Sequence, residues 1–230
     1  MTTLVQDNWG ICYRSDYFPH HIPTPERLQP TQAALKAQPV TQGGRQAAWF
    51  IQLPLGQQAV LRQYRRGGFI ARVFYDHYVW CGAHRTRSWA EFKIMQYLQA
   101  QHVPVPTPIW ASWQRTGVYY RAALITERIP QAHTLASQLF DTDPEMVAQG
   151  IKKMHDAGVY HADLNAFNIL LDAQKSVWLI DFDRARRYQS LSFSQRKKNL
   201  HRLHRSLVKI QGQAGARWYQ FLIQAYQALF

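Results

Sequence analysis

Between residues 160 and 171 the chain reads Tyr-His-Ala-Asp-Leu-Asn-Ala-Phe-Asn-Ile-Leu-Leu, and Leu-Ile-Asp-Phe-Asp follows at 179–183. Asp163, Asn168 and Asp181 are hard oxygen groups. Such a set suits Mg2+, which takes a few carboxylate or carbonyl ligands and completes its shell with water and phosphate oxygens. A carboxylate outside that shell can orient a hydroxyl and accept its proton. Singly, Asp and Asn cap turns. Three of them spaced around two short strands point instead to one site.

The elements that must position this set are legible nearby. Asp143 is an N-cap with Pro144 at the first helical position, Val147, Ile151, Met154 and His155 form an apolar stripe, and Gly158 closes the helix. Two strands, Asn168–Asp172 and Ser176–Asp181, flank a turn. Further on, Leu200, Leu203, Leu207 and Ile210 make one helical stripe and Trp218, Phe221, Leu222, Ala225 and Leu229 another. Upstream, Ala47–Leu53, Gln58–Tyr64 and Phe69–Tyr75 read as antiparallel strands, a helix spans Ser88 to about Gln101, and two more strands flank Gly117. Strands first and helices second make the chain α+β. The expected division is an irregular, proline-punctuated lead-in over 1–40, a sheet lobe with one helix over 41–129, and a helical lobe over 130–230.

Composition agrees with a folded protein: 47% of the 230 residues are hydrophobic and 13% aromatic, which excludes disorder as the main description. Cys12 and Cys81 are the only cysteines, so no disulfide framework is expected and a reducing, cytoplasmic compartment is. No apolar run is long enough to span a membrane, and the first residues lack the pattern of a secretory signal. Lys and Arg outnumber Asp and Glu by 27 to 14, giving a formal charge of +13 and calling for an anionic partner. After Asp183 ten cations follow without one carboxylate, from Arg184 to Arg217. His201 and His204 stand at helical spacing among these cations, which reads as a solvated face rather than a metal site.

The run around Asp163 resembles the protein-kinase catalytic loop, H-R-D-x-x-x-x-N, with Ala162 in place of Arg, and Asp181-Phe182-Asp183 resembles D-F-G with Asp for Gly. The resemblance implies a protein-kinase-like two-lobe fold with ATP and Mg2+ as cofactors. It makes Asp163 the base and Asn168 and Asp181 the metal ligands. It also places Gly43 and Gly44 as the phosphate-side turn and Arg62 as the phosphate-pairing cation, with neighbouring Arg65 the other candidate. Glu91 would pair with that cation, although Ser88-x-x-Glu91 also reads as a capping box. Glu127 and Ile129 would offer backbone groups to the adenine edge. His161 would steady the loop through hydrogen bonds. The missing Arg and the absence of an A-P-E sequence point away from regulated protein kinases.

Within that fold the chain is most similar to the 3-deoxy-D-manno-octulosonic acid (Kdo) kinases. The likeness is carried by residues 44–50, Leu61-Arg-Gln-Tyr-Arg-Arg-Gly-Gly68, 91–98 with Val103-Pro-Val-Pro106, the catalytic loop, Ile180-Asp-Phe-Asp-Arg184 and Asn199-Leu-His-Arg-Leu-His-Arg-Ser-Leu207. It implies phosphorylation of the 4-hydroxyl of Kdo on the lipid A precursor. The enzyme would be peripheral at the cytoplasmic face of the inner membrane, with the anionic surface as a partner, and Tyr78 and Trp80 are candidates for that interface. Two other readings stay open: a small-molecule kinase of aminoglycoside or choline phosphotransferase type, and a catalytically dead kinase fold that binds nucleic acid. The intact Asp163, Asn168 and Asp181 argue against the latter. Nothing in the sequence sets the oligomeric state.

Overall fold

The computed structural model describes residues 1–40, 48–64 and 78–230. Gly43, Gly44, Arg65 and the expected strand Phe69–Tyr75 lie outside these residues. The chain divides into two compact units, one of residues 1–93 and 107–128, the other of residues 94–106 and 129–230. The division passes through helix α1 (Arg87–Ala100).

The first unit is built on an eight-stranded sheet whose described pairs are all antiparallel, in the order β1 (Thr2–Val5), β2 (Trp9–Tyr13), β7 (Pro108–Thr116), β8 (Tyr119–Glu127), β5 (Gln58–Gln63), β4 (Ala48–Gln52), β3 (Gln38–Pro39), with β6 (Tyr78–Val79) also paired to β8. The expectation of an irregular lead-in over 1–40 is therefore corrected. Three strands of that segment, β1, β2 and β3, belong to the sheet, and its side chains Ile11, Tyr13, Phe18, Leu28 and Leu35 share a core with Ile51, Leu61, Trp110 and Ile125. Trp9–Tyr13 conceals its identity because Ile11, Cys12 and Tyr13 are buried in succession, which removes the polar alternation of a half-exposed strand. Its hairpin signal was the Asp7-Asn8 turn, closed by the Gln6 N–H donating to the Trp9 carbonyl (2.8 Å). Tyr78 is also core, 8% exposed with its ring 5.5 Å from that of Tyr120, so it is not an interface residue.

In the second unit α2 (Pro144–Asp156) is capped by Asp143, whose carboxylate accepts from the Glu145 N–H, and it buries Val147, Ile151, Met154 and His155. Gly158 ends it with φ +74, where a Cβ would lie 2.3 Å from the Tyr188 carbonyl oxygen, so only glycine fits. Two further strands, β10 (Val159–Tyr160) and β13 (Arg186–Arg187), then pair. β9 (His133–Thr134), β11 (Ile169–Leu171) and β12 (Val177–Leu179) form a three-stranded sheet. The final helix, α3 (Phe193–Ala228), starts with a capping box on Ser192 and Gln195. It is broken at Gly212, whose φ of 54° and ψ of −130° are non-helical. There the chain doubles back, so that His155 meets both Asn199 and Tyr226, one from each arm. The two apolar stripes read from the sequence are thus two arms of one hairpin.

Where the arms meet, a Cβ on Gly215 would stand 2.3 Å from the Leu207 carbonyl oxygen, which is backbone and cannot rotate away. Gly215→Ala is expected to destabilise by roughly 1–3 kcal/mol through this overpacking, which in a chain of this size lowers Tm by about 2–12 °C. Gln213→Ala, at an exposed position, should leave Tm nearly unchanged. Thermal melts of the two variants check this.

Candidate active site

The hairpin β11–β12 is set by its turn. The carboxylate of Asp172 accepts from the Gln174 N–H (2.9 Å), the Ser176 N–H (2.8 Å) and the Trp178 indole N–H (2.9 Å). This locks the register Ile169↔Leu179, and at the opposite end the Ile180 N–H donates to the Asn168 carbonyl (3.0 Å). A slip of one residue would reverse every side chain of the hairpin. Asn168 and Asp181 are thereby carried to its open end. Asp181 takes a left-handed φ of 63°, unusual for a non-glycine residue, and the chain turns there to bury Phe182 against His161, ring centroids 4.9 Å apart.

Asp163 is held by its backbone rather than by burial. Its N–H donates to His161 Nδ1 (3.1 Å), and its carbonyl accepts from the side-chain amides of Asn168 (2.9 Å) and Asn165 (3.1 Å). The carboxylate is 54% exposed, and its Oδ1 accepts from Arg202 Nη1 at 2.9 Å. Because Nδ2 of Asn168 is committed to the loop, its Oδ1 is the end available to a cation. Among the described residues no three His, Cys, Asp or Glu side chains make a metal cluster, His201 and His204 included. An amide oxygen of Asn168 and the carboxylate of Asp181 nonetheless fit Mg2+, which draws its other ligands from phosphate and water.

His161 is fully buried. Its Nδ1 accepts from Asp163 N–H, so its proton sits on Nε2 and is donated to the Ile180 carbonyl (2.9 Å). One imidazole therefore ties the loop of Asp163 to the strand end that presents Asp181. Its backbone is clamped from α3: Asn199 Nδ2 donates to the His161 carbonyl (2.7 Å) and Asn199 Oδ1 accepts from the His161 N–H (3.1 Å). The Ser206 hydroxyl accepts from the Ala166 N–H (3.2 Å). Behind Asn199 the network continues through His155 to the Tyr226 hydroxyl (2.8 Å), to Arg196 and to Asp156.

In the first unit Arg62 lies on β5 opposite Ala48 and Leu124, and it pairs with the buried carboxylate of Glu91, which also accepts from the Tyr64 hydroxyl. The capping-box alternative for Glu91 falls away: α1 begins at Arg87, and the Ser88 hydroxyl donates to the Ser112 carbonyl (2.6 Å) instead. The N–H of Glu127 donates to the Thr107 carbonyl (2.8 Å), so it is not available to a ligand, while Ile129 begins the long segment of the second unit.

A profile of the lipopolysaccharide kinase (Kdo/WaaP) family matches residues 31–226. The chain belongs to the lipopolysaccharide kinase family. It is 49% identical over 183 residues to a 3-deoxy-D-manno-octulosonic acid kinase of Xylella fastidiosa strain M12, covering 77% of this chain and 72% of that one. To proteins of the same name it is 48% identical in Xanthomonas euvesicatoria pv. vesicatoria strain 85-10 and 47% in Xanthomonas campestris pv. campestris strain B100, over 199 residues, 81% of this chain and 79% of those.

In this member of the lipopolysaccharide kinase family the basic stretch after Asp183 is partly paired within the protein. The stretch holds no carboxylate of its own, but Arg196 pairs with Asp156 (2.8 Å) and Arg202 with Asp163, both from earlier in the chain. Sequence reasoning missed the roles of Asn199, Arg202, Ser206 and Tyr64. The available signal was a buried asparagine on the apolar stripe of α3, four residues before Leu203, where packing alone would favour a hydrophobic side chain.

Burial depresses the pKa of His155 to about 4 and that of His161 in the same direction. The unfolded chain binds these protons near pH 6.5, before the folded chain does, so stability is complete above about 6.5 and is lost as pH falls toward 4. His155 alone accounts for about 3 kcal/mol of this loss, at 1.36 kcal/mol per pKa unit. Tm should therefore drop steeply between pH 6.5 and 4 in the wild type and less steeply in His155→Gln. Parallel melting curves for the two proteins across that range would contradict the assignment.

Proposed function

We propose that this chain transfers the γ-phosphoryl group of ATP to the 4-hydroxyl of Kdo in a lipid A precursor during lipopolysaccharide core biosynthesis. The observation that carries the reading is Asp163, a solvent-facing carboxylate on a loop whose backbone is fixed from three directions. The names of the relatives supply the acceptor. The antiparallel sheet unit and the mainly helical unit support the kinase-like reading of the fold.

In the reaction the acceptor oxygen attacks the γ-phosphorus, the bond to the β-phosphate oxygen breaks, and the hydroxyl proton passes to Asp163 as ADP leaves. Since the transition state of phosphoryl transfer is loose, the protein contributes positioning and electrostatic stabilisation. Asn168 and Asp181 would hold Mg2+, which when bound neutralises charge on the phosphate oxygens. Arg62, oriented by Glu91 and Tyr64, would meet the phosphates. The carbonyl of Glu127 and the backbone of Ile129 would meet the adenine.

Asp163→Asn is expected to lower kcat by about 10²–10⁴ with little change in ATP affinity. Asp181→Asn should weaken Mg-ATP binding as well. Turnover of ATP with Kdo-bearing lipid A precursor, beside free sugars and aminoglycosides, tests the reading. Near-normal kcat in Asp163→Asn, or preference for an aminoglycoside, would overturn it.

A substrate anchored by acyl chains calls for an enzyme at the membrane surface, and no helix among the described residues is long and apolar enough to cross a membrane. The cations available for docking exclude Arg196 and Arg202. Lys197 and Lys198 are exposed at the start of α3, beside Phe193, which is 81% exposed. At about 1 kcal/mol per cation near an anionic surface, Lys197→Gln with Lys198→Gln should weaken binding to anionic vesicles roughly 30-fold, and salt should release the wild type. Equal co-sedimentation with neutral vesicles, or preferential retention of RNA, would replace the membrane with another partner.

A further inference from the structure

The loop that bears Asp163 carries no lysine or arginine of its own from Tyr160 to Leu171. The cation at Asp163 comes from far along the chain, and its position is built. Arg202 stands on α3 between Asn199 and Ser206, three and four residues away on the same helix face, and these two hold the loop at His161 and Ala166. With the helix fixed to the loop on both sides of it, Arg202 Nη1 is set 2.9 Å from Asp163 Oδ1. The side chains of Arg202 and Asp163 are 43% and 54% exposed, so the pair adds little to stability. Its effect is on orientation: with Oδ1 held, Oδ2 is the oxygen left for an acceptor hydroxyl.

A guanidinium has five N–H donors in a planar fork, and one of them serves Asp163. The Arg202 side chain is 43% exposed, which leaves the rest of the fork accessible to a ligand next to Asp163. Resting on the function proposed above, the acceptor is a sugar acid whose carboxylate is borne on the ring carbon two bonds from the one carrying the 4-hydroxyl. Bringing that hydroxyl to Asp163 brings two carboxylates close together beside a phosphate, and like charges at such range repel unless a cation lies among them. Arginine meets a carboxylate through paired, charge-assisted hydrogen bonds that lysine cannot reproduce.

We propose that Arg202 determines acceptor specificity, binding the carboxylate of the sugar acid while it holds Asp163 for the hydroxyl. The arginine thus selects an acidic sugar over a neutral one, through the same side chain that orients the base.

The test compares two acceptors with the full-length protein and ATP: the Kdo-bearing lipid A precursor, and the same molecule with its carboxylate reduced to a primary alcohol. The wild type should show a KM for the reduced acceptor roughly 10- to 100-fold higher, the range for a hydrogen-bonded charge. In Arg202→Gln the KM for the acid should rise by a similar factor, so that both acceptors are used alike, with the KM for ATP unchanged. Arg202→Lys should recover part of the discrimination. An unchanged Tm in Arg202→Gln shows that the fold is not what was altered. If the wild type does not distinguish the two acceptors, or if Arg202→Gln still does, the assignment is wrong. Loss of kcat on both acceptors alike, without a change in KM, would leave Arg202 acting on Asp163 or the phosphoryl group alone and overturn it too. No turnover of the acid by the wild type would remove the proposed function itself, and this inference with it.

Discussion

A buried asparagine on α3 takes the place that a neighbouring strand would fill for the backbone of His161. Asn199 satisfies both the N–H and the carbonyl of that residue, and it also faces His155. From this one clamp the geometry of the second unit follows. His161 is held so that its ring bonds the Asp163 N–H on one side and the Ile180 carbonyl on the other, which couples the loop of the carboxylate to the end of the hairpin. If the amide were lost, a buried N–H and a buried carbonyl would remain without partners, at about 1–3 kcal/mol each. Buried polar networks specify one arrangement because a partly satisfied network is worse than none.

That demand explains why α3 is polar where it could be apolar. Asn199, Arg202 and Ser206 line the face turned to the loop, while Leu200, Leu203 and Leu207 make the packing beside it. The break at Gly212 then folds the second arm back, so that Tyr226 reaches His155 and Arg196 reaches both Tyr226 and Asp156. Of the ten cations in a stretch that has no anion, two find carboxylates elsewhere in the unit.

The first unit shows the same economy around a charge. Glu91 is nearly inaccessible, and a buried carboxylate without a partner is strongly disfavoured. Arg62 and the Tyr64 hydroxyl share it. Replacing such a pair by apolar side chains often costs nothing in stability, so its consequence is the position it gives the Arg62 guanidinium rather than a gain in stability. Tyr64 follows directly on β5, its N–H still bonded to the Ala122 carbonyl (3.0 Å), so the period-2 alternation carries on to set Tyr64 beside Arg62 and makes the triad possible.

What the sequence determined by itself was whatever depends on neighbours in the chain. Asp163, Asn168 and Asp181 could be picked out together because a loop and a two-residue-period hairpin convey side-chain direction over short spans, and α2 could be bounded because Asp143, Pro144 and Gly158 act locally. The tertiary structure alone decided the rest. It settled whether Glu91 caps a helix or pairs with Arg62, and it made strands of Thr2–Val5 and Trp9–Tyr13 within a segment whose prolines suggested an irregular lead-in. It also gave Arg196 and Arg202 of the basic stretch partners earlier in the chain. The partners of Asn199 and Arg202 lie 38 and 39 residues away. Contacts of that separation leave no period and no spacing in the sequence, because the same side chain is a solvated cation or a fixed ligand according to what the fold brings against it.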